Sequence, residues 1–170
     1  MYRLLTGLFL LINITGCSKS YPPLETVKEV ELQKYLGTWY EIARYEHYFE
    51  KGCRDVSATY TLKQDGDIKV INRCTKEDGE KKEAVGVAYA VDESQSKLKV
   101  SFFRPFYGNY WIIMLDTDYR YAVVGDPSRQ YLWILSRTPK LEKNIKDEIL
   151  SRLPEMGYSA DLLVWTLHED

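Results

Sequence analysis

The sequence predicts an all-β domain, an eight-stranded antiparallel up-and-down β-barrel with one C-terminal α-helix packed outside. Three observations support this prediction. Apolar and polar residues alternate along short runs rich in β-branched and aromatic residues, and turn residues separate the runs. No helical pattern stands between successive runs, so neighbouring strands are joined directly. Eight such strands hide their edges best by closing into a barrel, and 170 residues fit one domain of this kind.

The first sixteen residues differ in kind from the rest. Arg3 precedes an apolar run over 4–14 that contains no acidic residue. Such a run falls short of the roughly 20 residues that span a bilayer, and it favours a cleaved signal peptide over a first buried strand or helix. We therefore assign residues 1–16 to a signal peptide, 17–30 to a spacer that begins with Cys17, and 31–170 to the folded domain.

The end of this segment looks like a lipobox of bacterial lipoproteins, in the residues Ile14, Thr15, Gly16 and Cys17. The resemblance implies that Cys17 becomes the new N-terminus and carries acyl chains, which hold the protein to a membrane far more firmly than one chain does. Ser18 follows where Asp would favour the inner membrane. The resemblance therefore implies a lipid-anchored protein of the outer membrane, facing the periplasm.

Charge and cysteine content limit the other classes of function. The net charge of −2 and the lack of a basic cluster argue against a nucleic-acid surface. With Cys17 acylated, Cys53 and Cys74 remain, and an oxidising periplasm favours a disulfide between them over two free thiols. No paired cysteines or matching histidines have the spacing of a metal site, and no cofactor is expected.

The strands follow one another in order after a short helical turn at 32–36. Val56, Ala58, Tyr60 and Leu62 alternate with hydroxyl residues before Asp65 and Gly66, which predicts a β-hairpin. The eight predicted strands cover 38–45, 56–62, 68–72, 83–91, 97–103, 109–115, 121–125 and 131–137. Between Pro139 and Gly157, apolar residues recur at helical spacing, and a last short strand is predicted at 162–167.

Three motifs at defined points of this pattern resemble the signature elements of the lipocalin family. They are Gly37 and Trp39 on the first strand, Thr117, Asp118 and Tyr119 after the sixth, and Arg137 at the end of the eighth. The stretches GTWYEIARYEHYFEKG, KVSFFRPFYGNYW and YLWILSRTP resemble the bacterial lipocalins in particular. In an up-and-down barrel all three motifs meet at one end, where Arg137 is placed to stack on the Trp39 indole. We assign them to the fold and not to ligand binding.

The opposite end is predicted to be an open mouth above an apolar interior. An eight-stranded barrel is either filled by side chains or wide enough for one small ligand, and the resemblance favours a ligand cavity. The predicted ligand-binding residues are Val56, Ala58, Tyr60, Val70, Val100, Phe102, Tyr110, Ile112 and Trp133, and Leu62, Ile68, Leu98, Met114, Tyr131 and Leu135 share their face. The strand at 83–91 is ambiguous, because either its small residues or its larger ones can face inward.

The resemblance implies binding of fatty acids or phospholipids, with lysophospholipids preferred because a single-chain lipid leaves a bilayer more readily. Arg104 and Arg129, with Lys51 and Arg54 nearby, are candidates to meet a phosphate headgroup at the rim. His47 is expected to be a solvated loop partner of Glu46.

Two other classes of function remain open. One is an enzyme on lipophilic substrates, which a free, activated Cys53 would favour; we expect no catalytic residues. The other is a structural or assembly protein with a filled barrel. The aromatic mouth residues Tyr48, Phe49, Phe106 and Tyr107 fit contact with a partner, with the membrane or with a second copy in a homodimer.

Overall fold

A computed structural model describes residues 21–169 as a closed antiparallel barrel, which confirms the predicted fold class. The predicted signal peptide and Cys17 lie outside the described residues. The elements in chain order are α1 (Leu32–Tyr35), β1 (Gly37–Tyr45), β2 (Cys53–Leu62), β3 (Ile68–Lys76), β4 (Lys81–Ala90), β5 (Lys97–Phe103), β6 (Phe106–Leu115), β7 (Tyr121–Gly125), β8 (Leu132–Ser136), α2 (Lys143–Arg152) and β9 (Leu163–Trp165). Two single 3₁₀ turns, Pro154–Met156 and Ala160–Leu162, connect α2 to β9.

The barrel closes through β1, which pairs with β2 on one side and with β8 on the other. Trp39 lies opposite Ala58 of β2, and Tyr40 lies opposite Ser136 of β8. The register shifts by one residue between Glu41 and Ala43, and beyond this bulge β1 also pairs with β9. A bulge bends and twists a strand, and here it accompanies the change of neighbours along β1.

Several strand ends differ from the prediction, and the largest differences are on three strands. β2 begins at Cys53, three residues before its predicted start at 56. β3, predicted at 68–72, extends to Lys76, and β6, predicted at 109–115, begins at Phe106. Met114, predicted on the inward face, packs in the cluster outside the barrel because the register of β6 against β7 shifts between Ile112 and Met114. Leu62 lies exposed at the end of β2.

The segment at 21–30 is part of the domain, so the predicted spacer is too long by these residues. Leu24 and Val30 are buried. The Val27 N–H donates to the carbonyl of Ile112 at 3.0 Å, and the Val30 N–H donates to that of Ser94 at 2.8 Å. These bonds and contacts hold the segment along the barrel wall.

Helix α2 packs on the outside of the barrel, as predicted. Ile145, Ile149 and Leu153 are buried against a cluster that includes Val123 of β7 and Ile134 of β8. The apolar stripe of the helix therefore covers the outer face of the strands on this side. No helix among residues 21–169 is both long and apolar enough to cross a bilayer.

The alternation of strand directions places the connections at two ends. The connections at 46–52, 77–80, 104–105 and 126–131 lie at the end that we call the open end. The connections at 63–67, 91–96 and 116–120 lie with α1 at the other end, the closed end. The two ends carry different chemistry.

Candidate functional site

The barrel encloses a cavity of about 510 Å³ that reaches the open end. All the predicted ligand-binding residues except Ile112 line it: Val56, Ala58, Tyr60, Val70, Val100, Phe102, Tyr110 and Trp133. Ile112 is fully buried in the cluster around Trp39, toward the closed end, because it lies two residues deeper along β6 than Tyr110. The barrel is therefore not filled by its own side chains.

Small residues of β4 face the inside of the barrel, which resolves the ambiguity of the predicted strand at 83–91. Gly86 pairs with Val70, and Ala88 pairs with Ile68, so these small residues share the inward face. A Cβ at Gly86 would lie 2.7 Å from the carbonyl oxygen of Ser101 and 2.9 Å from the Phe102 ring. Only glycine allows the Phe102 ring to lie so close to β4.

Three tyrosine hydroxyl groups form a polar cluster deep in the barrel. The Tyr110 hydroxyl lies 2.7 Å from that of Tyr35 and 2.9 Å from that of Tyr60. Burial raises the pKa of Tyr60 to about 12 and raises the pKa of Tyr35 and of Tyr110 well above the ordinary value. The three groups are therefore neutral, and they offer hydrogen bonds without adding charge to the apolar wall.

The closed end is sealed by the three motifs, which meet as predicted. The Arg137 guanidinium lies 3.8 Å from the centre of the Trp39 ring. Its Nη1 donates to the carbonyl of Thr38 at 2.9 Å, and its Nε donates to that of Tyr119 at 3.3 Å. The Trp39 indole is fully buried and donates to the carbonyl of Tyr35 at 2.8 Å. These residues tie the strand ends to α1 and lie outside the cavity lining.

The glycine and the turn residues of these motifs have conformational roles. Gly37 has a φ of 94°, a conformation that favours glycine, and a Cβ there would contact Arg137. Thr117 and Asp118 lie in the turn before Tyr119, whose hydroxyl accepts the Glu31 N–H at 2.8 Å. The turn thus holds the start of α1 across the closed end.

A buried polar cluster lies in the wall toward the open end, which the sequence did not reveal. Glu41 and Arg44 are each 2% exposed and form an ion pair at 2.7 Å. Glu50 lies beside them and lines the cavity with Glu41, and its carboxyl accepts the Trp133 indole N–H at 3.2 Å. Burial, aided by the charge of Glu41, raises the pKa of Glu50 to about 8. Glu50 is therefore mostly protonated at neutral pH.

His47 belongs to the same cluster, so the expectation of a solvated loop residue is wrong. Its ring is stacked on Phe49 with centroids 4.0 Å apart and lies 5.3 Å from the ring of Trp133. Burial, and then the nearby Arg44 charge, lower the pKa of His47 to about 4. The ring is neutral at neutral pH, and it packs as an aromatic side chain.

The two predicted rim cations have different positions. Arg104 is exposed in the β5–β6 turn at the open end, where it was expected. Arg129 is not available to a headgroup, and its assignment to the rim is wrong. Its guanidinium donates to the carbonyls of Pro22 at 2.7 Å, Pro127 at 2.7 Å and Met156 at 3.1 Å. Through these bonds the Arg129 side chain joins the N-terminal segment to the C-terminal region.

Cys53 and Cys74 form a disulfide at the open end, with their Cα atoms 5.5 Å apart. They are not directly opposite, because Cys53 pairs with Lys76 and the β2–β3 register shifts between Arg54 and Ser57. Neither cysteine among residues 21–169 is then a free thiol. Cys53 is therefore not the free, activated thiol that would favour the enzymatic alternative.

Comparisons with known proteins agree with this geometry. The family model described as a lipocalin-like domain matches residues 30–168. The chain is 45% identical over 164 residues to the outer membrane lipoprotein Blc of Citrobacter freundii, covering 94% of this chain and 91% of the relative. It is 39% identical over 157 residues to temperature-induced lipocalin-1 of Arabidopsis thaliana, covering 86% of this chain and 84% of the relative. Among solved structures, insecticyanin of the tobacco hornworm Manduca sexta aligns with a TM-score of 0.70 at 22% identity, covering 88% of this chain and 86% of that one, and so supports the fold alone.

Proposed function

The chain belongs to the lipocalin family, and from this premise we propose that it is a lipid-anchored binding protein that holds a single-chain lipid in its barrel. The observation that carries the proposal is the open cavity of about 510 Å³ with an apolar wall. Cavities of roughly 300–1,000 Å³ are typical of small-molecule binding sites.

The distribution of polar groups in the cavity favours a fatty acid or a lysophospholipid. An acyl chain fits the apolar wall formed by residues such as Val70, Val100 and Phe102. Polar groups stand at the two ends of this wall, the tyrosine hydroxyls inside and Glu50 toward the mouth. A lysophospholipid headgroup would remain at the mouth, where Arg104 can meet its phosphate.

Membrane anchoring is the second part of the proposal. The lipobox-like residues that end in Cys17 support acylation at that cysteine. The name of the Citrobacter freundii relative, an outer membrane lipoprotein, supports the outer membrane as the location. We propose that the domain faces the periplasm there and stores or carries lipids for maintenance of the cell envelope under stress.

The test is lipid extraction and native mass spectrometry of the chain from Ser18 onward, followed by titration with lysophospholipid. Trp133 lies in the cavity wall, so we expect a co-purified lipid and saturable quenching of tryptophan fluorescence in the micromolar range. Ala58→Trp places an indole inside the cavity and is expected to abolish both signals. Val85→Trp is the matched control, because Val85 is exposed on the outer face of β4.

Two results would contradict the proposal. A folded protein that carries no lipid and shows no quenching is not a lipid carrier. Equal quenching in the wild type and in Ala58→Trp would place the bound lipid outside the barrel.

A further inference from the structure

Large aromatic side chains are exposed on two opposite sides of the open end. Phe103 and Phe106 of the β5–β6 turn are 75% and 71% exposed, with their rings stacked and the centroids 6.2 Å apart. Tyr48 and Phe49 of the β1–β2 connection are 92% and 55% exposed. In the closed sheet these two connections are four strands apart, so they stand across the mouth from each other. We call these two pairs the aromatic tips. Exposed apolar side chains grouped in this way mark a contact surface.

The described chain also enters the fold at the open end. The Arg129 guanidinium, in the β7–β8 connection, holds the carbonyl of Pro22 at 2.7 Å and lies 5.4 Å from the centre of the Tyr21 ring. Arg129 is itself fixed by the carbonyls of Pro127 and Met156. The first described residue is therefore fastened beside the mouth. Cys17 precedes Tyr21 by four residues, which span at most about 14 Å even when fully extended.

We propose that the open end is a membrane-docking surface, on which the aromatic tips rest in the headgroup region of the bilayer that holds Cys17. The cavity then opens toward that bilayer, and a lipid can pass between the two without crossing bulk water. This inference rests on the anchoring of Cys17 proposed above. Aromatic side chains favour the interface between headgroups and acyl chains. The short anchor keeps the tips at high effective concentration next to the membrane.

The charges around the mouth define how the domain rests on the membrane. The β3–β4 turn, at 77–80, also lies at the open end and carries Glu77, Asp78 and Glu80. It is flanked by Lys76, Lys81 and Lys82, and Lys82 pairs with Glu80 at 3.4 Å. In the order of strands it stands across the barrel from the β7–β8 connection, where the chain enters. Because the acidic turn is the connection farthest from the anchored side, we expect it to face away from the bilayer, while the aromatic tips and the anchored side approach it. Arg104, which lies between Phe103 and Phe106 in sequence and is exposed, is available to lipid phosphates.

A bilayer accounts for these observations better than a second copy of the chain. The two tips are separated by the mouth and do not form the continuous apolar face that a stable dimer needs. The anchor also brings a bilayer, and not a partner chain, to this end. Because the contact is apolar in character, vesicles of zwitterionic phosphatidylcholine are sufficient to test it.

The experiment uses the processed, acylated chain in phosphatidylcholine vesicles, with a nitrobenzoxadiazole label on one introduced cysteine. The labelled variants are Phe106→Cys at an aromatic tip, Asp78→Cys in the acidic turn and Asp65→Cys at the closed end. Cys53 and Cys74 are bonded to each other and do not take the label. Dithionite, which stays in water, is expected to reduce the label at position 106 about tenfold more slowly than the labels at 78 and 65, which corresponds to one phenyl-sized group leaving water.

A substitution in the same tip tests the cause of that protection. Phe103→Ser, combined with the label at 106, is expected to return the rate to that of the closed-end label. Val85→Ser removes an apolar side chain from the outer wall and is expected to leave the protection unchanged. Equal effects of the two substitutions would overturn the docking surface.

The remaining outcomes separate the inference from the proposed function. Intact mass without acyl chains on Cys17 overturns the anchor and this orientation with it. An acylated, vesicle-bound chain whose label at 106 reacts as fast as that at 65 overturns the docking alone. Protection that appears only when many chains share one vesicle identifies a second copy as the partner and also overturns the docking.

Discussion

Replacement of Arg137 tests whether the closed end is held together by this one side chain. Its guanidinium joins three separate elements beneath the Trp39 indole. Its Nη2 donates to the carbonyls of Lys34 and Tyr35 in α1, at 2.6 and 3.2 Å. Nη1 donates to that of Thr38 in β1 at 2.9 Å, and Nε donates to that of Tyr119 in the β6–β7 turn at 3.3 Å. A lysine keeps the charge but has no planar group to reach all four acceptors and stack on the ring.

The expected magnitude follows from these contacts. A hydrogen bond from a charged group contributes about 1.5–3 kcal/mol when buried, and about 1 kcal/mol at a half-buried site such as this one. If the two bonds of Nη2 to α1 count as one shared bond, the bonds to the three elements and a cation–π contact of about 1 kcal/mol amount to roughly 4 kcal/mol for Arg137→Ala. Arg137→Lys retains the cation and one or two bonds, so we expect it to lower the free energy of unfolding by about 2 kcal/mol.

The assay is urea unfolding followed by tryptophan fluorescence, with Arg120→Lys as the control. Arg120 lies at the same end and forms a bidentate pair with Asp116, at 2.9 and 3.0 Å, but it is exposed to solvent. We expect little change from Arg120→Lys, because exposed pairs contribute little. Lysophospholipid affinity should not change in Arg137→Lys, since Arg137 is not in the cavity lining. Equal destabilisation by the two substitutions would refute this account of the closed end.

Three further predictions concern the wall and the open end. Glu50 has a folded-state pKa of about 8, above its ordinary 4.5, so its protonated form stabilises the fold at low pH and this contribution is lost as the pH rises through about 8. Glu50→Gln should therefore flatten the decline in the free energy of unfolding between about pH 4.5 and pH 8, and an unchanged decline would contradict the assignment. Gly86→Ala places a methyl group 2.7 Å from the carbonyl oxygen of Ser101 and should lower the free energy of unfolding by about 1–3 kcal/mol. We expect a lower melting temperature and weaker quenching by lipid. An unchanged melting temperature with unchanged quenching would show that β4 can move. The double substitution Cys53→Ser and Cys74→Ser removes a disulfide that joins residues 21 positions apart. It should lower the free energy of unfolding, measured in urea, by about 3 kcal/mol, and a reducing agent should not change the stability of this double variant further.

The strands were predictable where one face is apolar and the other polar. Val56 and Tyr60 are buried on β2, and the residues between them are less so, as the alternation requires. The extension of β3 to Lys76 was not predictable in this way. Its last residues are polar, and they pair with β2 and with the lysine-rich start of β4 through backbone hydrogen bonds. Backbone pairing leaves no pattern in the side chains, so the ends of these strands had to come from the structure.

The residues of the open end were less predictable than those of the closed end, and for a related reason. Arg129 holds carbonyl groups of Pro22 and Met156, which are 107 and 27 residues away in sequence. Every residue offers a carbonyl, so no residue type marks such an acceptor in advance. His47 and Glu50 are buried because their connection folds back over the strand ends, next to Trp133. Polar residues in a connection usually indicate exposure, so the sequence did not predict this burial.

The residues of the closed end were predictable, because a stacked Arg–Trp pair and a positive-φ glycine restrict the residue types at these positions and therefore leave a motif. Motifs in this chain thus report how the barrel is closed, whereas the surface of the open end is defined by contacts between connections that are distant in sequence.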